Sequence, residues 1–201
     1  MRKISSNDVI YDSNIIIYYS FHTENHKIIE LTNKSQKLTE FLISNGSHIH
    51  VPRFIMDEIE SKGIRKIIDE YIATNQITNL PQNPNMIFRL GLEFKIKRKL
   101  KRLQDKEWFS IEDYNPSEEL INRIDDFFLN LNKSEITEFL KLKNRNNPKP
   151  SYNDIQLIAY SKEKEHPLIS NDYDITYFSK ELIEKNLAHQ IFNLKELIIY
   201  N

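Results

Sequence analysis

The chain has 201 residues, 28 Lys and Arg against 29 Asp and Glu, 39% apolar residues and no cysteine. This fits one soluble domain with a real core, or one domain plus an arm, and it excludes a disulfide framework, a thiolate nucleophile and a Cys-based zinc site. No apolar run approaches the roughly 20 residues of a membrane span, and Met1-Arg2-Lys3-Ile4-Ser5-Ser6 carries charge without an apolar secretory segment, so a cytoplasmic home is expected.

The first element in chain order is a strand. Val9, Ile10 and Tyr11 favour extended backbone, Asp12 ends the run, and Ser13-Asn14 favour a turn. A strand that stops on an acid sets its carboxylate at the carboxyl edge of a sheet, where open α/β folds bind their ligands. Ile15 to Phe21 is apolar and aromatic enough to begin a helix. A further helix is expected from about Lys34 to Ser44, with Leu38, Phe41 and Leu42 on one face and Asn45-Gly46 as its stop. His48-Ile49-His50-Val51 reads as a second strand, and Pro52 suits the start of the next helix. Strand, helix, strand within fifty residues is a βαβ unit with parallel pairing.

Five of the seven prolines fall between residues 81 and 150 and divide that stretch into short helices. One runs from Met86 to Glu107 along Leu92, Ile96, Leu100 and Leu103. A second follows Asn115-Pro116 along Leu120, Ile124, Phe127 and Leu131, and a third starts near Ser134. No strand signal shows there, so residues from about 76 to 150 read as a mostly helical insertion in a single domain spanning 1–201. The sheet pattern then returns. Ser151 to Glu163 is expected as a helix, Pro167-Leu168-Ile169-Ser170 as a strand and Tyr177 to Lys185 as a helix. Gln190 to Asn193 is expected as a last strand and Leu194 to Tyr200 as a closing helix. Gly46, Gly63 and Gly91 stand apart, which argues against the clustered-glycine loops that cradle phosphates. The expected class is α/β with a central parallel sheet.

Asp12 has three candidate sets of partners. At about 100° per residue, Glu58 falls inside the apolar arc of Phe54, Ile55 and Ile59, while Asp57 and Glu60 fall outside it. An acid on a buried face needs a reason, whether a salt bridge, an edge-of-face position or a functional role. Asp154 completes a Ser-x-x-acid capping pattern with Ser151, yet it also borders the Ile155, Ile158, Ala159 face that must pack on the sheet. Asp172 and Asp174 follow the strand ending at Ser170, repeating the arrangement at Asp12; a polar turn that caps the next helix is the structural alternative. Carboxylates converging on one sheet edge repel unless a cation sits among them. Oxygen donors without Cys favour Mg²⁺ or Mn²⁺ over zinc, and such a site suits phosphodiester hydrolysis.

Together these residues resemble the PIN-domain family. Asp12-Ser13-Asn14 after a strand resembles its first motif, Pro52 with Glu58 its second, Asp154 with Ile158-Ala159 its third, and Ser170-Asn171-Asp172-Tyr173-Asp174 its fourth. The match covers roughly residues 7–60 and 150–195. The resemblance implies a three-layer α/β/α fold, Mg²⁺- or Mn²⁺-dependent cleavage of RNA, and homo-oligomers such as dimers. It implies Asp12, Glu58, Asp154 and Asp172 as catalytic metal ligands, Asp174 as an accessory acid at the metal, and Ser13, Asn14 and Ser170 as residues that order the loops. Toxin-type VapC ribonucleases, which pair with an antitoxin, and RNA-processing members acting on tRNA or rRNA are both within its range. The span from Glu58 to Asp154 exceeds that of the compact toxin members.

Lys95, Lys97, Arg98, Lys99, Lys101, Arg102 and Lys106, with one acid among them, give residues 95–106 a charge of +6 and leave −7 on the rest. An ordinary solvated helix face is the alternative, but a nuclease acidic elsewhere needs somewhere for phosphates to land, so Lys95, Lys97, Arg98, Lys99, Lys101 and Arg102 are expected to contact the RNA backbone. His22 and His26 at i, i+4, and His48 and His50 along a strand, read as surface or packed residues. Two rival functions stand beside the nuclease. One is a catalytically silent PIN-like module that binds RNA or protein. The other is a haloacid-dehalogenase-type phosphatase, which wants an acid where Asn14 stands.

Overall fold

The computed structural model describes residues 8–21, 26–66, 68–69, 84–143 and 149–197. Its sheet has five parallel strands in the order β3-β2-β1-β4-β5. They are β1 (Asp8–Tyr11), β2 (His48–Pro52), β3 (Phe109–Glu112), β4 (Leu168–Ser170) and β5 (Ile191–Asn193). Around it lie α1 (Ser13–Ser20), α2 (His26–Ser44) and α3 (Arg53–Glu58), which runs on into a π-helical turn, Ile59–Gly63. After these come α4 (Pro84–Gln104), α5 (Glu118–Leu129), α6 (Lys133–Lys143), α7 (Tyr152–Lys164), α8 (Tyr173–Thr176) and α9 (Ser179–Glu184). Among the described residues no helix is long and apolar enough to cross a membrane.

The strands alternate between two covered faces. Tyr11 Oη lies 3.0 Å from Thr39 Oγ1 of α2 on one face, and Glu112 Oε2 lies 2.9 Å from Lys164 Nζ of α7 on the other. The sheet is therefore the middle layer of an α/β/α sandwich; β1 and β4 are apolar on both sides through Val9, Ile10, Leu168 and Ile169, and β2 on one side through Ile49 and Val51, all buried. The first βαβ unit forms as expected. α2 ends in a Schellman arrangement, with Ser47 N–H on Leu42 C=O and Gly46 N–H on Ile43 C=O, both at 2.9 Å. Gly46 supplies the left-handed φ of 73° that this stop requires. Gly63 lies close against α1, where a Cβ would meet Ile17 Cδ1 at 3.0 Å.

Three expectations need correction. Phe109–Glu112 is a strand inside the stretch expected to hold none, paired with β2 from Ile49↔Phe109 to Pro52↔Glu112. Four residues after a 21-residue helix carry little local signal, and the hydrogen-bond ladder comes from a strand some sixty residues earlier. The helix expected over Tyr177–Lys185 is α9, Ser179–Glu184, preceded by the separate turn of α8. Leu194 to Glu196 form a turn, not the start of a closing helix, and 198–200 lie outside the described residues, as does His22.

Chain order sets where a ligand can bind. From β1 the chain winds outward through β2 and β3, then returns to lay β4 on the other side of β1 and β5 beyond it. The winding reverses between β1 and β4, and the crevice at the carboxyl ends of those two strands is the ligand position of such a sheet.

Candidate active site

Asp12 is the first residue past β1, and Ser170 is the last of β4, so the reversal brings them together. Asp12 is only 3% exposed. Its Oδ2 accepts hydrogen bonds from Ser170 Oγ at 2.6 Å and from Asn14 Nδ2 at 2.5 Å, and its Oδ1 accepts the N–H of Ser13. The Ser170 hydroxyl also accepts the N–H of Asp172 at 2.9 Å, so a single group serves two acids. Asn14 completes the clamp, its Oδ1 accepting the N–H of Asn171 at 3.0 Å.

The other acids arrive from different elements. Asp172 is the N-cap of α8, its Oδ1 accepting the N–H of Asp174 at 2.9 Å, and Asp174 is itself buried. Asp154 sits at the third position of α7 and closes the capping box with Ser151. Its Oδ2 takes the Ser151 N–H at 2.9 Å and the Ser151 hydroxyl at 2.7 Å. Glu58, the last residue of α3, is half-buried, and its Oε2 accepts from Asn153 Nδ2 at 3.2 Å. The capping roles that sequence offers for Asp154 and Asp172 are real, and the same carboxylates also share one field. Burial, then the charge of Asp154, followed by Asp172 and Glu58, pushes Asp12 up from its ordinary 3.8 to about 7, while the Ser170 bond pulls against this. Burial likewise lifts Asp154 to about 6, with Asp172 and Asp174 adding to it and Ser151 opposing.

The structure thus gathers Asp12, Glu58, Asp154, Asp172 and Asp174 with Asn14 and Ser170. Ser13 contributes its backbone N–H. Asn153 is not visible in the sequence as a site residue, because nothing in Ser-Tyr-Asn-Asp ties it to a glutamate 95 positions earlier. The basic run lies along α4. Lys95, Lys97, Arg98, Lys99, Lys101 and Arg102 are exposed on α4, whose Ile96, Leu100 and Leu103 are buried. Lys97 Nζ pairs with Glu93 at 2.6 Å. α4 leads down to the amino end of β3, so the far end of the run lies towards the sheet edge opposite Asp12.

Ser170→Ala removes a donor to one acid and an acceptor near another. Stability is expected to fall by about 1.5–3 kcal/mol in urea unfolding with an unchanged m value, the usual loss for a hydrogen bond to a charged group. The Asp12 carboxyl should titrate at still higher pH, read by carbon-13 NMR, because the bond opposing its upward shift is gone.

Fold and site together define a parallel α/β protein with an acidic crevice at the reversal of its sheet. No family model and no curated protein sequence matches the chain. Among solved structures it is similar to a chain of VapBC2 from Rickettsia felis bound to a DNA fragment from their promoter. Identity is 12%, the TM-score is 0.44, and the match covers 92% of this chain and 98% of that one. At that identity the likeness carries no site residue across.

Proposed function

We propose that the protein is a divalent-metal-dependent endoribonuclease of PIN-like type. Asp12, Glu58, Asp154 and Asp172 would hold Mg²⁺ or Mn²⁺, with Asp174 as an accessory acid. The observation that carries this reading is Asp12, which is buried, clamped by Ser170 and Asn14, and raised to about 7 by burial and by its acidic neighbours. Crowded carboxylates with oxygen donors alone fit a hard divalent cation, which would relieve their repulsion. Such a cation, when bound, supplies charge for a phosphate oxygen and lowers the pKa of an attacking water.

The chain's own residues prepare that chemistry. Ser13 N–H occupies one of the two lone pairs of Asp12 Oδ1, leaving the other for a cation. Ser170 and Asn14 hold the carboxylate in one orientation and tie the loop after β4 to the end of β1, so binding need not order either loop. The exposed bases on α4 would meet RNA flanking the scissile bond instead of the phosphate being cut. Neutralising Lys97, Arg98 and Lys101 should lower the slope of log affinity against log salt by about 2, at roughly 0.7 per lost single-strand phosphate contact. An unchanged slope would make α4 structural.

The substrate would be an RNA cut by a toxin-type enzyme or a tRNA or rRNA precursor. An antitoxin-like partner and a homodimer or larger assembly belong to the same reading, and Leu90 and Phe94, exposed on α4, give a partner apolar surface to cover. A second reading has one observation in its favour: Asp12, Asp154 and Asp172 each cap a helix. A silent PIN-like binding module could keep them for that reason. Purified protein incubated with mixed RNAs, with Mn²⁺ or with chelator, separates the two. Cleavage that needs the metal supports the nuclease, and intact RNA in both supports the silent module.

A further inference from the structure

A second set of side chains lies on the sheet face covered by α7, towards the amino ends of the strands. Asp8 opens β1, His50 sits in β2 and His166 precedes β4. α7 ends on Glu165 in the left-handed conformation (φ 54°), which turns the chain back and carries His166 towards the sheet. Asp8 Oδ1 lies 2.9 Å from His50 Nε2, the two imidazole rings have centroids 5.1 Å apart, and one ligand atom from each of the three residues lies within 4.8 Å of the other two. All three side chains are half-buried.

The far side of His50 fixes what its near side can do. Nδ1 lies 2.6 Å from Glu112 Oε1 and 2.9 Å from Ser110 Oγ, and Glu112 is paired with Lys164 Nζ at 2.9 Å. An ionised carboxylate only accepts, so Nδ1 carries the hydrogen. Nε2 then faces the Asp8 carboxylate at 2.9 Å, with either a proton or a metal ion between them. A proton would serve His50 and Asp8 alone and leave a second imidazole beside a charged ring. A metal ion would use all three residues. His50 thus has, in Glu112, the outer partner that orients a metal-binding histidine.

We infer that Asp8, His50 and His166 form a site for a zinc-class transition-metal ion, with water completing its coordination, that ties β1, β2 and the start of β4 together. Two imidazoles and one carboxylate select such an ion over Mg²⁺, the reverse of the preference of the acidic crevice. The two sites share no residue, and Asp8 and Asp12 are about 13 Å apart at the rise of an extended strand.

The test uses the full chain, stripped with chelator and held in excess Mg²⁺. Zn²⁺ is titrated by calorimetry and Co²⁺ by its visible absorption. One equivalent should bind, His166→Ala should weaken binding at least about 100-fold, and Glu112→Gln at least about 10-fold, the range for an outer partner. Asp12→Asn should bind Zn²⁺ as the parent does. Imidazole nitrogen-15 spectra of the unaltered protein need no variant, and Zn²⁺ should shift His50 and His166 among the six histidines. Absence of saturable binding would overturn the site. So would zinc affinity lost in Asp12→Asn and kept in His166→Ala, or unmoved His50 and His166 resonances.

Discussion

Under the proposed nuclease function, Asp12→Asn will slow metal-dependent RNA cleavage by about a thousand-fold or more while leaving the fold intact. The scale follows from the several kcal/mol of charge stabilisation a catalytic divalent ion supplies, at about 1.4 kcal/mol per tenfold in rate. The fold should survive because Asn keeps the shape of Asp, caps a helix as well as Asp does, and removes one charge from a site crowded with them. With only a single oxygen to offer, the amide gives up the Ser13 N–H bond if that oxygen stays with Asn14 and Ser170. That loss, on the order of 1 kcal/mol, is offset by relief of repulsion from Asp154, Asp172 and Glu58. Single-turnover cleavage beside thermal unfolding reads both halves. Unchanged cleavage would remove Asp12 from the chemistry, and a collapsed fold would make its part chiefly structural.

Without metal, thermal stability will fall as pH rises from about 5 to 8, and Mn²⁺ will restore it at the upper end. The direction follows from Asp12 and Asp154, whose folded values of about 7 and about 6 lie above their ordinary 3.8. Between those limits the folded protein keeps protons that the unfolded chain releases, so each rise in pH favours unfolding. For Asp12 the full span amounts to at most on the order of 4 kcal/mol, or roughly 10 °C in Tm for a chain of this size. Glu112 runs the other way. Burial would raise it, but the Lys164 ammonium and the Tyr160 and His50 side chains beside it overcome this and hold it at about 2. Its contribution is present above its ordinary 4.5 and lost as pH falls through 2, outside the window measured. Mn²⁺ at a hundred times its dissociation constant adds about 2.7 kcal/mol. Scanning calorimetry from pH 5 to 8 on the parent and on Asp12→Asn checks the assignment, because the slope should flatten in the variant. A slope that is level in the parent, or unaltered in the variant, would mean the acids do not share a field.

Local chemistry makes some of this legible in advance. Val9-Ile10-Tyr11 ending on Asp12, Asn45-Gly46 stopping a helix, and Ser151 with Asp154 starting one are all decided within a few residues, by β-branching, a left-handed glycine and a capping box. Those signals are short-range, so they survive in one dimension. The same applies to Leu168-Ile169-Ser170 before Asp172, and hence to the expectation that two acids end two strands.

What lies beyond a few residues is decided by pairing. β3 exists because β2 offers it a ladder. Glu58 is held by Asn153, and a single Ser170 hydroxyl reaches both Asp12 and the N–H of Asp172. His50 reads as an ordinary strand histidine until Asp8, Ser110, Glu112 and His166 are seen around it. The basic run shows the converse: its charge is plain in the sequence, but its distance from the acids is not. Sequence by itself determined which side chains this protein carries at its strand ends and helix starts, since those depend on backbone preferences of adjacent residues. Only the tertiary structure decided which of them share a field, because electrostatic coupling and hydrogen bonding depend on distance in space and not along the chain.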